Sequence, residues 1–262
     1  MMENPPPAWL FIAFAAALGS VVGSFLNVCI YRLPIHKSIV WPASACTKCG
    51  HELSWYENVP ILSWLVLRAR CRSCGDAISA RYPIIEAITG TMFALAWWYY
   101  GPGPLLASRL VLGCSLLVLF AIDLEHHLLP NAITLPGIVV GFVFSLLTGE
   151  PGLVDSLVGI VIGGGFLWAI AEAYYRIRGE EGLGMGDVKM LAMIGAFIGW
   201  KLTLLTLMFA SLTGTVVGLA LIASKRGTMK YALPFGTFLA LGAGFAAVAG
   251  QPLLDWYVNL WR

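Results

Sequence analysis

Charged residues are scarce in this chain: only 11% of its 262 residues are Asp, Glu, Lys or Arg, and the net charge is +2. A soluble core of this size needs a charged surface, so the composition excludes an ordinary soluble enzyme and a disordered chain. The small net charge argues against a nucleic-acid partner. Apolar residues are abundant instead, at 59% of the chain with a mean hydropathy of +0.81. The composition therefore indicates that the chain is folded in lipid.

Apolar segments recur along the chain, and a helix needs about 20 mostly apolar residues to cross a bilayer. They cover residues 8–29, 84–100, 105–122, 132–148, 153–174, 188–200, 202–223 and 231–250. We expect an all-α polytopic membrane protein with about eight transmembrane helices. The first segment has no preceding Lys or Arg and is expected to be a retained span, not a removed signal peptide. Short turns at 101–104 and 200–201 predict two helical hairpins.

One connecting loop is long and polar, which divides the chain into a first span (1–30), an extramembrane domain (31–83) and a seven-span membrane domain (84–262). Thirteen of the 16 basic residues lie in this loop or in two others, 175–189 and 224–230. Basic loops stay on the cytoplasmic side of bacterial membranes. These three loops are therefore predicted to be cytoplasmic, with both termini on the other side.

Four cysteines in the long loop form two CxxC pairs, Cys46/Cys49 and Cys71/Cys74, and each pair is followed by a Gly. Four thiolates at this spacing suit a tetrahedral Zn²⁺ site, and disulfides are disfavoured in the cytoplasm. A redox pair or unbound thiols are the alternatives. Since four thiolates leave no open position on the metal, the predicted zinc is structural and folds a loop too small to fold alone.

Carboxyl groups in or beside membrane spans are costly and each needs a reason. Glu86 and Glu172 are expected to pair with Arg81 and Arg176. Asp155 is expected to favour a helix N-terminus. Gly159, Gly163, Gly164 and Gly165 lie inside an apolar run and are expected to form a packing surface between helices.

Asp123 and Asp187 stand apart, because the charge pattern places both at the cytoplasmic ends of spans. Two carboxyl groups at one depth can share a proton, so that one acts as a base toward water while the other donates to a carbonyl. In the stretch GMGD, Gly184 and Gly186 would let an extended peptide approach the backbone beside Asp187. Two solvated carboxylates at helix ends are the alternative. His126 and His127 are expected at the lipid headgroups, without a catalytic role.

These residues resemble the bacterial type IV prepilin peptidases, also called leader peptidase/N-methyltransferases. The matching segments are GSFLNVCIYRLP (23–34), CTKCGHELSWYENVPILSWLVLRARCRSC (46–74), AIDLEHHLLPNAITLP (121–136), GEEGLGMGDVKMLAMIGAFIG (179–199) and LPFGTFLALGA (233–243). The chain departs from many members at Ala69, where they have Gly, and at Asn131, where Asp is frequent. Neither change removes a proposed ligand or catalytic carboxyl group.

The resemblance implies a GxGD-type aspartic peptidase of the inner membrane that cleaves the basic leader of prepilins or pseudopilins after a Gly, on the cytoplasmic side. It also implies that Asp123 and Asp187 are the catalytic pair, that the four loop cysteines hold zinc, and that S-adenosylmethionine serves to methylate the new N-terminus. Glu181 is expected to attract the basic leader. The alternatives are an intramembrane protease of other substrates and a non-catalytic scaffold or transporter with a zinc-binding loop.

Overall fold

The computed structural model describes residues 7–179, 184–224 and 233–260. Within these residues there are eight α-helices, one 3-10 turn (Trp55–Asn58) and two isolated bridges, with no β-strand. The helices are α1 (Ala8–Arg32), α2 (Leu62–Val66), α3 (Arg81–Tyr100), α4 (Pro104–His126), α5 (Asn131–Thr148), α6 (Leu153–Arg178), α7 (Met185–Ala223) and α8 (Phe235–Asn259). The expected all-α class is confirmed. The chain divides into two compact units, 1–110 and 111–262.

Six of the described helices are long and apolar enough to cross a membrane: α1, α4, α5, α6, α7 and α8. Many large apolar side chains on them are exposed, such as Phe14 and Val161, which are 66% and 68% exposed. In water such a surface would be unstable, whereas lipid solvates it at little cost. The chain is therefore a multi-pass membrane protein.

In the first unit, α1 packs along α3 through small residues. A side chain on Gly23 would lie 2.7 Å from the backbone of Glu86, and one on Gly90 would lie 2.5 Å from Ser20 Oγ. Asn27 of α1 donates a hydrogen bond to the carbonyl of Tyr82 at 3.1 Å. Small residues let the two helix backbones approach closely, which is the usual way for helices to associate in lipid.

In the second unit, α6 and the first half of α7 pack as an antiparallel pair at backbone contact distance. A side chain on Gly159 would collide with the backbone of Gly195, and one on Gly163 would meet Leu191 O. Ser156 Oγ donates to the carbonyl of Ala196 at 2.8 Å. The predicted packing surface is thus confirmed for Gly159 and Gly163. Gly164 lies beside Ala192, whereas a side chain on Gly165 would touch nothing within 4 Å, so the prediction was wrong for Gly165.

The 39-residue helix α7 contains one non-helical residue, Gly199, with φ 77° and ψ 168°. A straight helix of this length would span about 58 Å, nearly twice the hydrocarbon thickness. Gly218 lies against Leu233, only three residues before Gly236, and Leu129 lies against both Gly186 and Gly236. The two ends of α7 therefore lie at the same end of this unit. The chain reverses at Gly199, which confirms the predicted helical hairpin with its turn one residue earlier.

Candidate active site and cysteine cluster

Asp123 lies in the last turn of α4, at the end of the run LLVLFAI, and is only 5% exposed. The helix ends at His126, and His127 has a left-handed backbone with φ 51°. Oδ2 of Asp123 accepts two hydrogen bonds from α8, one from the backbone N–H of Thr237 at 2.7 Å and one from Thr237 Oγ1 at 3.1 Å. The N-terminus of α8 therefore binds the carboxyl group of Asp123.

Asp187 lies in the first turn of α7, behind the helix-capping residue Gly184. Its backbone N–H donates to the carbonyl of Gly184 at 3.1 Å. Its carboxyl group folds back toward the same residue, since a side chain on Gly184 would lie 3.4 Å from Asp187 Oδ2. The glycines of the GMGD stretch thus border the acid directly.

The side chain of one leucine packs between the two acidic positions. The side chain of Leu129, in the loop between α4 and α5, fills the space where side chains on Gly186 and Gly236 would lie. Gly236 precedes Thr237, and its Cα also borders Asp123, since a Cβ there would lie 3.0 Å from Asp123 Oδ2. Asp123 and Asp187 are close enough for their charges to act on each other. The structure thus brings together two acids that are 64 residues apart in the sequence.

The other carboxyl groups singled out in the sequence have structural partners. Glu172 pairs with Arg176 at 2.7 Å, as predicted. Glu86 accepts a hydrogen bond from the backbone N–H of Ile61 at 2.7 Å, which connects the long loop to α3. Asp155 lies in the first turn of α6, as expected, and accepts a hydrogen bond from the indole of Trp200 at 2.9 Å. Glu181 lies outside the described residues.

Thr237 is the contact that sequence reasoning missed. The stretch LPFGTFLALGA was noted for its resemblance, but no residue in it was given a role. A Pro-Phe-Gly-Thr sequence opening an apolar helix indicates free backbone N–H groups at a helix N-terminus, which bind anions. That signal shows a donor site, but it does not identify the acid, which lies 114 residues earlier in the chain.

The four loop cysteines form one cluster in which all the sulfur atoms lie within 4.8 Å of one another. Cys46 Sγ lies 3.9 Å from Cys74 Sγ, and Cys49 Sγ lies 3.9 Å from Cys71 Sγ. Zn–S bonds of about 2.3 Å in a tetrahedron place sulfur atoms about 3.8 Å apart. The geometry is therefore compatible with zinc.

Each CxxCG stretch folds in the same way. The N–H of Cys46 donates to His51 O at 2.8 Å, and the N–H of Cys71 donates to Asp76 O at 2.8 Å. Gly50 and Gly75 both have φ of 72°, a left-handed backbone that glycine adopts readily, so each stretch turns at its glycine. Backbone N–H groups of Cys49 and Lys48 lower the pKa of Cys46 to about 6. The backbone N–H of Asp76 lowers the pKa of Cys74, but burial and the three neighbouring thiols raise it to about 12.

The first CxxCG stretch is held by a buried carboxylate. Glu57 Oε2 accepts the backbone N–H of Ser54 at 2.9 Å and lies 3.2 Å from His51 Nε2. The Ser54 N–H lowers the pKa of Glu57, burial opposes this, and His51 adds to the lowering. Glu57 is therefore held as a carboxylate, and through His51 it fixes the loop next to Cys49.

Two family models match the chain: "Bacterial Peptidase A24 N-terminal domain" over residues 17–100 and "Type IV leader peptidase family" over residues 110–219. Three curated relatives are named prepilin leader peptidase/N-methyltransferase. The one from Pseudomonas putida is 38% identical over 94% of this chain and 93% of its own length. That from Aeromonas salmonicida (strain A449) is 35% identical over 96% and 95%. That from Myxococcus xanthus (strain DK1622) is 44% identical over 83% and 65%. No solved structure matches the chain.

Proposed function

This chain belongs to the bacterial type IV leader peptidase family, and we propose that it removes the short basic leader of type IV prepilins or pseudopilins after a Gly and then methylates the new N-terminal amine. Relatives named for both activities align over more than nine-tenths of the chain. The observation that carries the proposal is the meeting of Asp123 and Asp187 at helix ends that both border Leu129, which contacts Gly186 beside Asp187 and Gly236 beside Asp123.

The proposed reaction is hydrolysis by a carboxyl pair that shares one proton. Two carboxylates at close range cannot both be charged, so one is protonated at neutral pH. The ionised member takes a proton from water as the water oxygen attacks the scissile carbonyl carbon. The protonated member donates its proton to the carbonyl oxygen. Gly184, which borders the Asp187 carboxyl group, leaves room for the extended peptide, whereas Leu129 fills the space beside Gly186. Glu181 attracts the leader's basic residues.

We place this site at the cytoplasmic face of the bacterial inner membrane. The basic loop 175–189 contains Asp187, the basic loop 224–230 precedes α8, whose Thr237 binds Asp123, and basic loops stay on the cytoplasmic side. A substrate with a basic leader followed directly by an apolar helix would present its cleavage site where that helix leaves the lipid. The scissile bond and the acid pair would then lie at the same depth.

We also assign residues 31–83 as a cytoplasmic zinc-binding domain with Cys46, Cys49, Cys71 and Cys74 as ligands. The sulfur spacing supports this, since the two 3.9 Å separations are close to the separation of about 3.8 Å expected around tetrahedral zinc and all four sulfur atoms lie within 4.8 Å of one another. Zinc there would be structural and would hold the two CxxCG stretches together. S-adenosylmethionine is the methyl donor implied by the second activity and is consumed as a substrate.

The acid pair is tested with Asp123→Asn and Asp187→Asn in the purified full-length enzyme, incubated with a synthetic prepilin. Mass spectrometry of the products, with and without S-adenosylmethionine, separates cleavage from methylation. We expect both variants to lose leader cleavage by at least a thousandfold while still inserting and folding. Asp255→Asn, an exposed carboxyl paired with Gln251, is the control and should cleave normally. Near-normal cleavage by either catalytic variant would refute the pair.

The zinc site is tested with Cys74→Ser against Cys114→Ser, a cysteine in α4 outside the cluster. Elemental analysis of the purified proteins should find about one zinc per chain in the control and much less in Cys74→Ser, which should also unfold at a lower temperature. Full zinc content in Cys74→Ser would show that the four-thiolate assignment fails.

A further inference from the structure

The two acids of the pair have unequal surroundings. Asp123 Oδ2 accepts two hydrogen bonds from Thr237, through its backbone N–H and its hydroxyl group. No described residue donates a hydrogen bond to the carboxyl group of Asp187. Both acids lie at helix ends, but among the described residues only Asp123 is held by donors from another helix. The structure therefore distinguishes two groups that are chemically identical in the sequence.

Donors at this position favour the ionised form of Asp123. The N–H of Thr237 belongs to the first turn of α8, where backbone N–H groups have no partner within the helix and the helix dipole favours negative charge. A hydrogen bond donated to a carboxylate stabilises the charged form over the protonated one. With Oδ2 occupied by two donors, Oδ1 is the oxygen left to face a water molecule.

We propose that Thr237 is a positioning residue that keeps Asp123 ionised, which makes Asp123 the general base and Asp187 the general acid of leader cleavage. This inference rests on the proposed function. Asp123 Oδ1 accepts a proton from water as the water oxygen bonds to the carbonyl carbon, and Asp187 gives its proton to the carbonyl oxygen. When the C–N bond breaks, Asp123 returns its proton to the leaving amine. Asp187 takes one back from the diol as the new carboxyl group forms.

Few other charged groups face Asp123 among the described residues. His127, directly after α4, acts on Asp123 electrostatically, and Glu125 of α4 lies 3.9 Å from His126. On α7, Asp187 interacts with Asp123, whereas Lys189 donates to the side chain of Asn131 at 2.9 Å. The described first turn of α8 carries no titratable group. Substitution of Thr237 leaves all of these groups in place, so a change in pH dependence would report on the Thr237 hydrogen bonds.

The experiment compares Thr237→Val, which removes the hydroxyl donor but keeps the shape, with Thr237→Ser, which keeps the donor. Purified full-length enzyme cleaves a synthetic prepilin across a range of pH, and kcat and KM are measured at each value. For Thr237→Val we expect kcat to fall about tenfold with KM unchanged, and the acidic limb of the profile to move up by about one pH unit. Thr237→Ser should restore the limb. Thr206→Val, at a buried Thr whose hydroxyl donates to the Leu202 carbonyl, should keep the original profile.

An unmoved acidic limb in Thr237→Val, or a loss that Thr237→Ser does not restore, would overturn the inference. If Thr237→Val does not fold, as judged by gel filtration, Thr237→Ala is measured in its place with the same expectation. Asp123→Asn in the same assay separates this inference from the proposed function. If Asp123→Asn still cleaves, the acid pair itself is wrong. If it is inactive while the Thr237 variants keep the normal profile, only the role of Thr237 is wrong.

Discussion

Gly186→Ala adds one carbon atom next to Leu129, between the two acids. The added Cβ would lie 2.9 Å from Leu129 Cβ and 3.3 Å from Leu129 Cδ1. Carbon atoms in contact prefer a separation of about 3.5–4.0 Å, so the overlap with Leu129 Cβ is about 0.6 Å or more. The Cβ of Leu129 cannot rotate away as a side-chain tip can. Either the loop that carries Leu129 or the first turn of α7 must therefore move.

The energetic effect of Gly186→Ala combines two opposing terms. Overpacking of this kind costs about 1–3 kcal/mol, whereas Gly to Ala inside a helix gains about 1 kcal/mol. We expect a net loss of stability of up to about 2 kcal/mol. The effect on activity should be larger, because the displaced turn carries Asp187 and a 1 Å misplacement of a catalytic group can cost about a hundredfold in rate. We expect leader cleavage to fall between about tenfold and a hundredfold.

The assay is the initial rate of leader cleavage by purified enzyme, with thermal unfolding measured on the same samples. Gly184→Ala is the graded comparison for stability, since its Cβ would lie 3.4 Å from Asp187 Oδ2, an ordinary contact, and it should unfold at close to the normal temperature. Gly244→Ala, in α8 with nothing within 4 Å, controls for helix propensity and should be fully active. If Gly186→Ala cleaves normally and is more stable, Leu129 does not join the two acids as described.

Two further predictions concern stability and are measured by thermal unfolding. Ala69 has φ 58°, a left-handed backbone that costs an L-residue about 1–2 kcal/mol, so Ala69→Gly should stabilise the loop by about 0.5–1 kcal/mol. Ala87→Gly, at an exposed position inside α3, should instead destabilise the protein by about 1 kcal/mol, and equal effects would contradict the strain argument. Gly195→Ala should cost more than about 2 kcal/mol, because the added atom meets the backbone of Gly159, and unchanged stability would refute the close α6–α7 contact.

Local sequence features predicted much of the fold. The hydropathy of segments such as 105–122 and 153–174 predicted α4 and α6 to within a few residues. This works because a helix that crosses the bilayer must be apolar over the whole hydrocarbon thickness. The CxxCG spacing predicted the cysteine cluster for a similar reason, since two residues between ligands already bring their sulfur atoms together. The turn near Trp200 was predicted one residue late, because hydropathy does not reveal the backbone angle that Gly199 adopts.

The candidate site was only partly predictable. Asp123 and Asp187 stood out because a carboxyl group at the end of an apolar run is costly, and their catalytic role stays a prediction. Nothing in the local sequence pointed to Leu129, which lies between Gly186 and Gly236, because that contact joins three separate segments. Glu57 was not singled out either, since its hydrogen bond with Ser54 and its pairing with His51 depend on how the loop folds back.

The amino-acid sequence by itself determined that this protein is solvated by lipid, that it is helical, and that four thiols are spaced for one metal ion. Each of these follows from composition or from the spacing of neighbouring residues. Only the tertiary structure decided that Thr237 donates twice to Asp123 across 114 residues, and that the two acids differ in their surroundings. Such contacts depend on how distant helices pack, and helix packing is set by the shapes of many side chains at once.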